Sequence, residues 1–148
     1  MSAWHAYLQQ LDAAPRLRRD RMADSRHFLT IVQAVEERLG CSCQYEVGAS
    51  LQDEAVYGSL LLPRHVLVED YLAWLRASET GDLVTIWDWD VAVKPDQLAL
   101  IVSTVTTLGL LYVPTRVLDT PYSGRLQGFE PYTWSERLFG YCDPPAEI

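Results

Sequence analysis

Apolar residues recur at helical spacing in two stretches within the N-terminal part of the chain. Residues 4–11 place aromatic and leucine side chains at the i, i+3, i+4 and i+7 positions that share one helical face. Residues 28–39 repeat the pattern, and the glycine behind them is typical of a helix C-terminus. The sequence therefore predicts two N-terminal helices, the second starting near Pro15 or, on stronger capping signals, at Asp24 or Ser25.

Strand-like patterns begin after the second helix. Residues 43–47 alternate apolar and polar side chains, as a half-buried strand does, and residues 55–62 can run back beside them as a hairpin. The clearest strand lies at 83–91, where Leu, Thr and Trp alternate with Val, Ile and Asp. A last strand is predicted at 110–118, and Pro114 within it indicates an edge strand or a bulge.

Two further helices are predicted between the strands. Residues 66–77 place four apolar side chains at helical spacing, with two acidic residues in the first turn. Pro95 begins another helix, which ends at Gly109. Because a strand, a helix and a strand follow one another at short intervals there, we expect a crossover unit, right-handed if its strands are parallel.

The element order α-α-β-β-α-β-α-β is typical of an α+β fold. At 148 residues the chain is long enough for one domain with a buried core. We expect a single domain over 1–148, with helices packed on one mixed sheet of about four to five strands. Residues 1–40 are its helical N-terminal part. Residues 119–148 form an irregular tail rich in aromatic residues and proline, with a short turn or strand at 134–141.

The acidic residues are unevenly distributed along the chain. The net charge is −8, yet residues 1–40 carry six arginines against five acids, whereas residues 41–148 carry six basic against fifteen acidic residues. An acidic domain disfavours binding to nucleic acid and favours either a basic partner or simple solubility. The arginines between the two N-terminal helices alternate with aspartates, which is typical of a solvated connector; an anion-binding patch is the alternative.

The sequence carries no signal for a membrane span or a cofactor. No apolar run reaches the ~18 residues of a span, and the polar N-terminus lacks the apolar core of a secretory signal, so we expect a cytoplasmic protein. Cys41, Cys43 and Cys142 lack a second close pair and have no histidine beside them in sequence. They are interpreted as free thiols, and neither a metal nor a cofactor is expected.

Two aspartates, Asp88 and Asp90, stand near the end of the clearest strand. Alternate side chains of a strand share a face, so both carboxylates are expected on one face, opposite Trp87 and Trp89. Such a pair can hold a divalent cation, with Asp96 as a third oxygen ligand, or act as general acid and base. A solvated strand end, or contact with basic residues of another protein, explains the same pattern.

The histidines and serines of the sequence give little support for a catalytic site. His65, in the loop before the predicted 66–77 helix, is the best catalytic candidate among three solitary histidines, although a surface or capping role is the simpler interpretation. No serine stands in a nucleophile elbow, and no histidine pair has the spacing of a helical zinc site. An enzyme built on Asp88, Asp90 and His65 is therefore an alternative hypothesis.

The leading hypothesis is a small acidic protein that binds a basic partner protein and blocks it. Bacterial immunity proteins and antitoxins share this profile of size and charge, although no motif links the chain to them. The acidic surface would steer association, and aromatic anchors would slow dissociation. A subunit of a larger assembly is a further alternative. The predicted contact residues are Asp88, Asp90, Asp96, Glu69, Asp70 and Tyr122, the last of them expected to be exposed.

Overall fold

The computed structural model describes residues 3–13, 21–47, 56–79, 82–87, 90–123 and 133–139. The helices are α1 (Ala3–Ala13), α2 (Arg21–Leu39), α3 (Pro95–Thr107), α4 (Thr115–Leu118) and α5 (Trp134–Phe139). The strands are β1 (Tyr45–Val47), β2 (Val56–Leu61), β3 (Trp74–Ser78), β4 (Leu83–Trp87) and β5 (Leu111–Tyr112). Two single 3₁₀ turns are Arg64–Val66 and Asp90–Ala92. Within these ranges no helix has the length and apolar character needed to cross a bilayer.

The five strands form one mixed sheet in the order β1-β2-β3-β4-β5. Neighbours are antiparallel from β1 to β4, whereas β5 runs parallel to β4. The parallel pair is short, with Leu83 opposite Leu111 and Val84 opposite Tyr112, and α3 connects its two strands. The predicted hairpin, the crossover through α3 and the two N-terminal helices are confirmed, in a single α+β domain.

The local signals that end α2 and begin α3 work as the sequence predicts. Gly40 takes a φ of +73° behind α2 and donates its N–H to Glu36 O at 2.8 Å. A side chain with a Cβ rarely adopts that backbone conformation, so glycine stops the helix there. Pro95 occupies the first turn of α3, where its missing N–H leaves no helical hydrogen bond unmade.

Helices α2 and α3 cover one face of the sheet, called here the α2/α3 face, with an apolar layer. Gly58 on β2 lies under the ring of Phe28, because a Cβ built on Gly58 would stand 2.1 Å from Phe28 Cγ. The absence of a side chain at Gly58 therefore lets α2 approach the sheet closely. Fully buried side chains of this layer include Phe28, Ile31, Leu60, Leu75 and Ile101.

Helices α1, α4 and α5 belong to the cluster on the opposite face, called here the α1/α4/α5 face. Its apolar residues include Leu8, Leu83, Trp87, Trp134, Leu138 and Phe139. Polar groups are concentrated on this side, since strand alternation and the clusters place here five of the six polar residues that are buried among the described ones. These five are Asp12, Ser59, Ser78, Thr85 and Thr115.

A buried ion pair connects α1 to α5. Asp12 is 2% exposed and accepts a hydrogen bond from Arg137 Nε at 2.7 Å. Its second carboxylate oxygen accepts a hydrogen bond from the hydroxyl of Tyr122. His5 Nε2 lies 2.8 Å from Thr120 Oγ1, which adds a contact between α1 and the same distant segment. Polar contacts as well as apolar packing therefore hold α1 to residues 120–122 and to α5.

The helix predicted over 66–77 is wrong. Its C-terminal half is strand β3, in which half-buried Trp74 and Arg76 alternate with buried Leu75 and Ala77. The strand pairs with β2 on one side and β4 on the other. Hydrogen bonds to two neighbouring strands satisfy its backbone, and such long-range pairing overrides the helical spacing of its apolar residues.

Three other predicted elements are also different in the structure. The strand expected over 83–91 ends at Trp87, and Asp90 lies in a 3₁₀ turn. The strand expected over 110–118 is only the two residues of β5, followed by α4, because the chain turns after its proline. The turn or strand expected at 134–141 is helix α5, which buries three apolar side chains in the core.

Candidate functional site

Two loops are joined by backbone hydrogen bonds at one end of the sheet, where β2 and β4 end and β3 begins. The N–H of Val68 donates to Ala92 O at 2.7 Å, and a second such bond of 2.8 Å and an antiparallel bridge pair the same segments. The surface formed by residues 64–72 and 90–96 is called here the loop platform. Its two halves form one continuous, hydrogen-bonded surface.

The loop platform exposes apolar side chains. Val91 is 56% exposed, Leu72 54% and Tyr71 47%. Val91 and Leu72 are the most exposed large apolar side chains in the part of the chain that the structure describes. Exposed apolar groups gathered on one surface are typical of a contact site for another macromolecule.

Acidic side chains flank these apolar groups. Glu69 and Asp70 directly precede Tyr71, and Asp96 lies in the first turn of α3; all three acids are exposed. Asp70 lies 2.9 Å from the guanidinium of Arg64, with the two side chains 94% and 82% exposed. Because water screens such a pair, it contributes little to stability and leaves the carboxylate accessible.

Glu69 holds a left-handed backbone conformation, with a φ of +52°. Among the described residues it is the only one other than glycine with a positive φ. The turn around it is closed by the N–H of Tyr71, which donates to Val68 O at 3.3 Å. A left-handed conformation costs about 1 kcal/mol outside glycine and persists only where the surrounding structure imposes it. The loop therefore holds the backbone of Glu69 in this conformation.

Asp90, a half-buried residue of the loop platform, is held by hydrogen bonds to β5 and α4. Its Oδ2 accepts from the Tyr112 hydroxyl at 2.8 Å and from the Thr115 N–H at 3.1 Å, while its own N–H donates to Thr115 Oγ1 at 3.0 Å. Burial, and then the Asp90 carboxylate, raise the pKa of Tyr112 well above its usual range. Asp90 thus ties the loop after β4 to the start of α4, and this engagement argues for a structural role.

The structure brings most of the predicted site residues together on the loop platform. Glu69, Asp70, Asp96 and His65 are exposed there, whereas Asp90 is half-buried. Lys94 Nζ donates to the backbone carbonyl of His65 at 3.1 Å, which joins the two halves once more. Asp88 lies outside the described residues, as does Trp89. Tyr122 lies elsewhere: it is half-buried on the α1/α4/α5 face, bound to Asp12, so the expectation that it is exposed is wrong.

Within the described ranges, thiols and potential metal ligands form no second site. Burial, and then the neighbouring Cys41, raise the pKa of the Cys43 thiol to about 12. A thiol that stays protonated is a poor nucleophile and a poor metal ligand. No cluster of three or more His, Cys, Asp and Glu side chains in the described ranges could hold a metal ion. Cys142 lies outside those ranges.

The apolar residues of the loop platform were missed by the sequence analysis. Tyr71 and Leu72 fit the spacing of a buried helical face, and Val91 fits the end of a strand. In the structure all three occupy irregular segments or a 3₁₀ turn and are exposed. A sequence signal existed for their acidic neighbours alone. The combination of acidic and apolar groups is visible only once the two loops are paired.

Comparison of the chain with protein-family models, with curated proteins and with solved structures finds no match. Function is therefore argued from the loop platform itself. The loop platform combines exposed apolar groups, exposed carboxylates and a backbone held by hydrogen bonds.

Proposed function

We propose that this chain is a protein-binding protein that docks on a basic partner protein through the loop platform. The observation that carries the proposal is the grouping of Val91, Leu72 and Tyr71, all about half exposed, between exposed carboxylates. Interfaces between proteins commonly place apolar and aromatic anchors at the centre and charged groups at the rim. The loop platform has both parts of that arrangement.

Charge supports a basic partner. The chain carries a net charge of −8. Within the loop platform, acidic residues outnumber basic ones by four to two, so the local net charge is also negative. The acidic residues are Glu69, Asp70, Asp90 and Asp96, and the basic ones are Arg64 and Lys94. Opposite charge on the partner would speed diffusional encounter and disfavour acidic competitors.

The hydrogen bonds within the loop platform support tight docking. The backbone bond between Val68 and Ala92 and the strained turn at Glu69 exist before any partner arrives. A surface that is ordered in advance loses less conformational entropy on binding. We therefore propose that the loop platform binds as a largely rigid unit.

An inhibitor of a basic enzyme, as immunity proteins and antitoxins are, is the form of this function that we propose. A small domain that covers a cationic site needs an acidic surface, a few apolar anchors and no reaction chemistry of its own. The bonds that engage Asp90 with Tyr112 and Thr115 favour such a role over acid/base catalysis at this position.

Substitution of the apolar anchors tests the docking surface. Leu72→Ser and Val91→Ser keep the net charge and remove the anchors, whereas Leu111→Ser removes an apolar side chain that is 37% exposed at the far end of β4 and β5. Capture from extracts of the native host, quantified by mass spectrometry, should give one basic protein with the unmodified chain and with Leu111→Ser. Each loop-platform variant should bind it at least about tenfold more weakly.

Three outcomes would contradict this proposal: an acidic partner, equal loss of binding in Leu111→Ser, or no protein captured by the unmodified chain.

The role of charge in docking has its own test, on the purified chain and its partner. Glu69→Gln with Asp70→Asn should slow association and reduce its salt dependence, while leaving dissociation nearly unchanged. Asp82→Asn, at an exposed acid at the opposite end of β4, is the control matched in charge to Glu69→Gln alone or Asp70→Asn alone, and it should slow association less than either single substitution.

A further inference from the structure

A small pocket of about 170 Å³ opens on the α1/α4/α5 face, beside the carboxyl end of β4. It adjoins the parallel pair of β4 and β5, the position at which ligands commonly bind in sheets with parallel strands. The residues that line it come from β4, from α4 and the residue after it, and from α5. They are Thr85, Ile86, Trp87, Thr115, Leu118, Asp119 and Ser135.

One lining residue has an unused hydrogen-bond donor. Trp87 is 7% exposed, and its indole Nε1 is buried without an acceptor among the described residues. Buried indole N–H groups ordinarily have a partner. An acceptor oxygen placed in the pocket would supply one.

The other polar groups of the pocket differ in what they can still donate. Thr85 Oγ1 already donates to Val113 O at 2.7 Å, and Thr115 Oγ1 donates to Ile86 O at 3.3 Å. The hydroxyl of Ser135, in the first turn of α5, donates to no described residue and remains free to do so. Among the side chains of the described lining, the donors left for a ligand are therefore the indole N–H of Trp87 and this hydroxyl.

A positively charged side chain lies over the indole ring of Trp87. The guanidinium carbon of Arg76, on β3, stands 4.9 Å from the centroid of the Trp87 ring. A cation over the ring withdraws electron density from it and strengthens its N–H as a donor. Asp119, the carboxylate among the described lining residues, is exposed.

We propose that this pocket binds a small ligand through a carboxamide or carboxylate oxygen, which accepts a hydrogen bond from Trp87 Nε1 with Ser135 as the second donor. The volume suits such a group, because an engineered cavity of about 150 Å³ holds one benzene molecule. A nucleotide or a typical drug-sized ligand needs about 300 Å³ or more. This proposal does not depend on the docking function of the loop platform.

Indole resonances provide the test. In ¹H–¹⁵N correlation spectra of the whole chain, each of its five tryptophans gives one indole signal. Trp87→Phe identifies the signal of interest. Trp134 is the internal control, since its Nε1 is also buried without an acceptor among the described residues but does not line the pocket. The probes are acetamide, acetate and methylammonium chloride, each at matched ionic strength.

Acetamide or acetate should move the Trp87 signal downfield in a saturating manner, and leave the Trp134 signal in place. Ser135→Ala should weaken the apparent affinity by about five- to tenfold. If acetate binds better than acetamide, the ligand group is a carboxylate, and Asp119→Asn should then strengthen acetate binding; the reverse order identifies a carboxamide. Equal shifts of all indole signals, a response to methylammonium alone, or no saturating shift would overturn the proposal.

Discussion

The two faces of the sheet are built on different principles. The α2/α3 face is covered by a layer of buried apolar side chains, in which Phe28 packs directly on Gly58. The α1/α4/α5 face also has an apolar cluster, but it buries the Asp12–Arg137 pair and most of the buried hydroxyls. Apolar packing is non-directional, whereas hydrogen bonds fix which atoms meet. We therefore expect the α2/α3 face to contribute more of the free energy of unfolding. The hydrogen bonds of the α1/α4/α5 face set the positions of its helices and of the pocket beside them.

The largest expected effect tests the apolar face. Phe28→Ala should lower the free energy of unfolding by about 3–5 kcal/mol, because it removes a fully buried ring and leaves a cavity above Gly58. Phe139→Ala removes an equally buried ring from the six-residue α5 and should cost less, because so short a helix can shift to fill the space. Urea denaturation followed by circular dichroism measures both.

A larger loss for Phe139→Ala than for Phe28→Ala would contradict the comparison. The close contact at Gly58 has its own check. Gly58→Ala should destabilise the unmodified chain by about 1–3 kcal/mol, since the new methyl group meets the Phe28 ring. The same substitution in the Phe28→Ala background should cost clearly less, and equal costs would show that the two residues are not coupled.

The next effect concerns the polar face. Asp12→Ala should cost about 3 kcal/mol, because it leaves the guanidinium of Arg137, only 12% exposed, without its carboxylate. Replacing both partners, with Asp12→Leu and Arg137→Met, should restore most of the lost stability, since an apolar pair avoids the cost of burying charge. Urea denaturation measures both variants, each in a Tyr122→Phe background because that hydroxyl also donates to Asp12. If the double variant is then as unstable as Asp12→Ala, the ion pair itself stabilises the fold.

The smallest effect appears at alkaline pH. An unfolded tyrosine ionises near pH 10, whereas burial and the Asp90 carboxylate keep Tyr112 protonated to higher pH in the folded chain. Above about pH 10 the unfolded state therefore binds fewer protons than the native state, and the free energy of unfolding falls as pH rises. Tyr112→Phe should cost about 1 kcal/mol near neutral pH, for the lost hydrogen bond to Asp90, and should make the alkaline decline shallower.

Denaturation midpoints from pH 8 to 11 measure this decline. Tyr45→Phe is the matched control, because Tyr45 is 45% exposed on β1 and the change should retain the original slope. An unchanged slope in Tyr112→Phe would mean that other groups cause the alkaline loss. Cys43 is one such group, since its raised pKa acts in the same direction, and Cys43→Ser separates the two contributions.

Much of the fold could be predicted from local patterns. The helices around Phe28 and Ile101 and the hairpin of β1 and β2 follow from periodicity and from glycine and proline at their ends. Residues 66–77 could not be predicted, because Tyr71, Leu72 and Leu75 satisfy helical spacing, whereas the residues from Trp74 onward are held as a strand by pairing with β2 and β4. Spacing along the chain carries no information about partners across a sheet.

The candidate site could be predicted only in part. The acidic residues Glu69, Asp70 and Asp96 were identified from charge and sequence position, and the structure places them on one surface. Asp90 looked equally available, yet its hydrogen bonds to Tyr112 and Thr115 depend on the return of the chain after β5. Such contacts between distant segments are set by the packed structure and leave no local sequence signal.

Both edge strands of the sheet are short. β1 has three residues and β5 has two, so each border offers few free backbone groups to another chain. Edge strands of that length are poor templates for adding strands from a second molecule. The exposed apolar side chains of the loop platform can therefore face solvent with little risk that the described edge strands add strands from a second molecule.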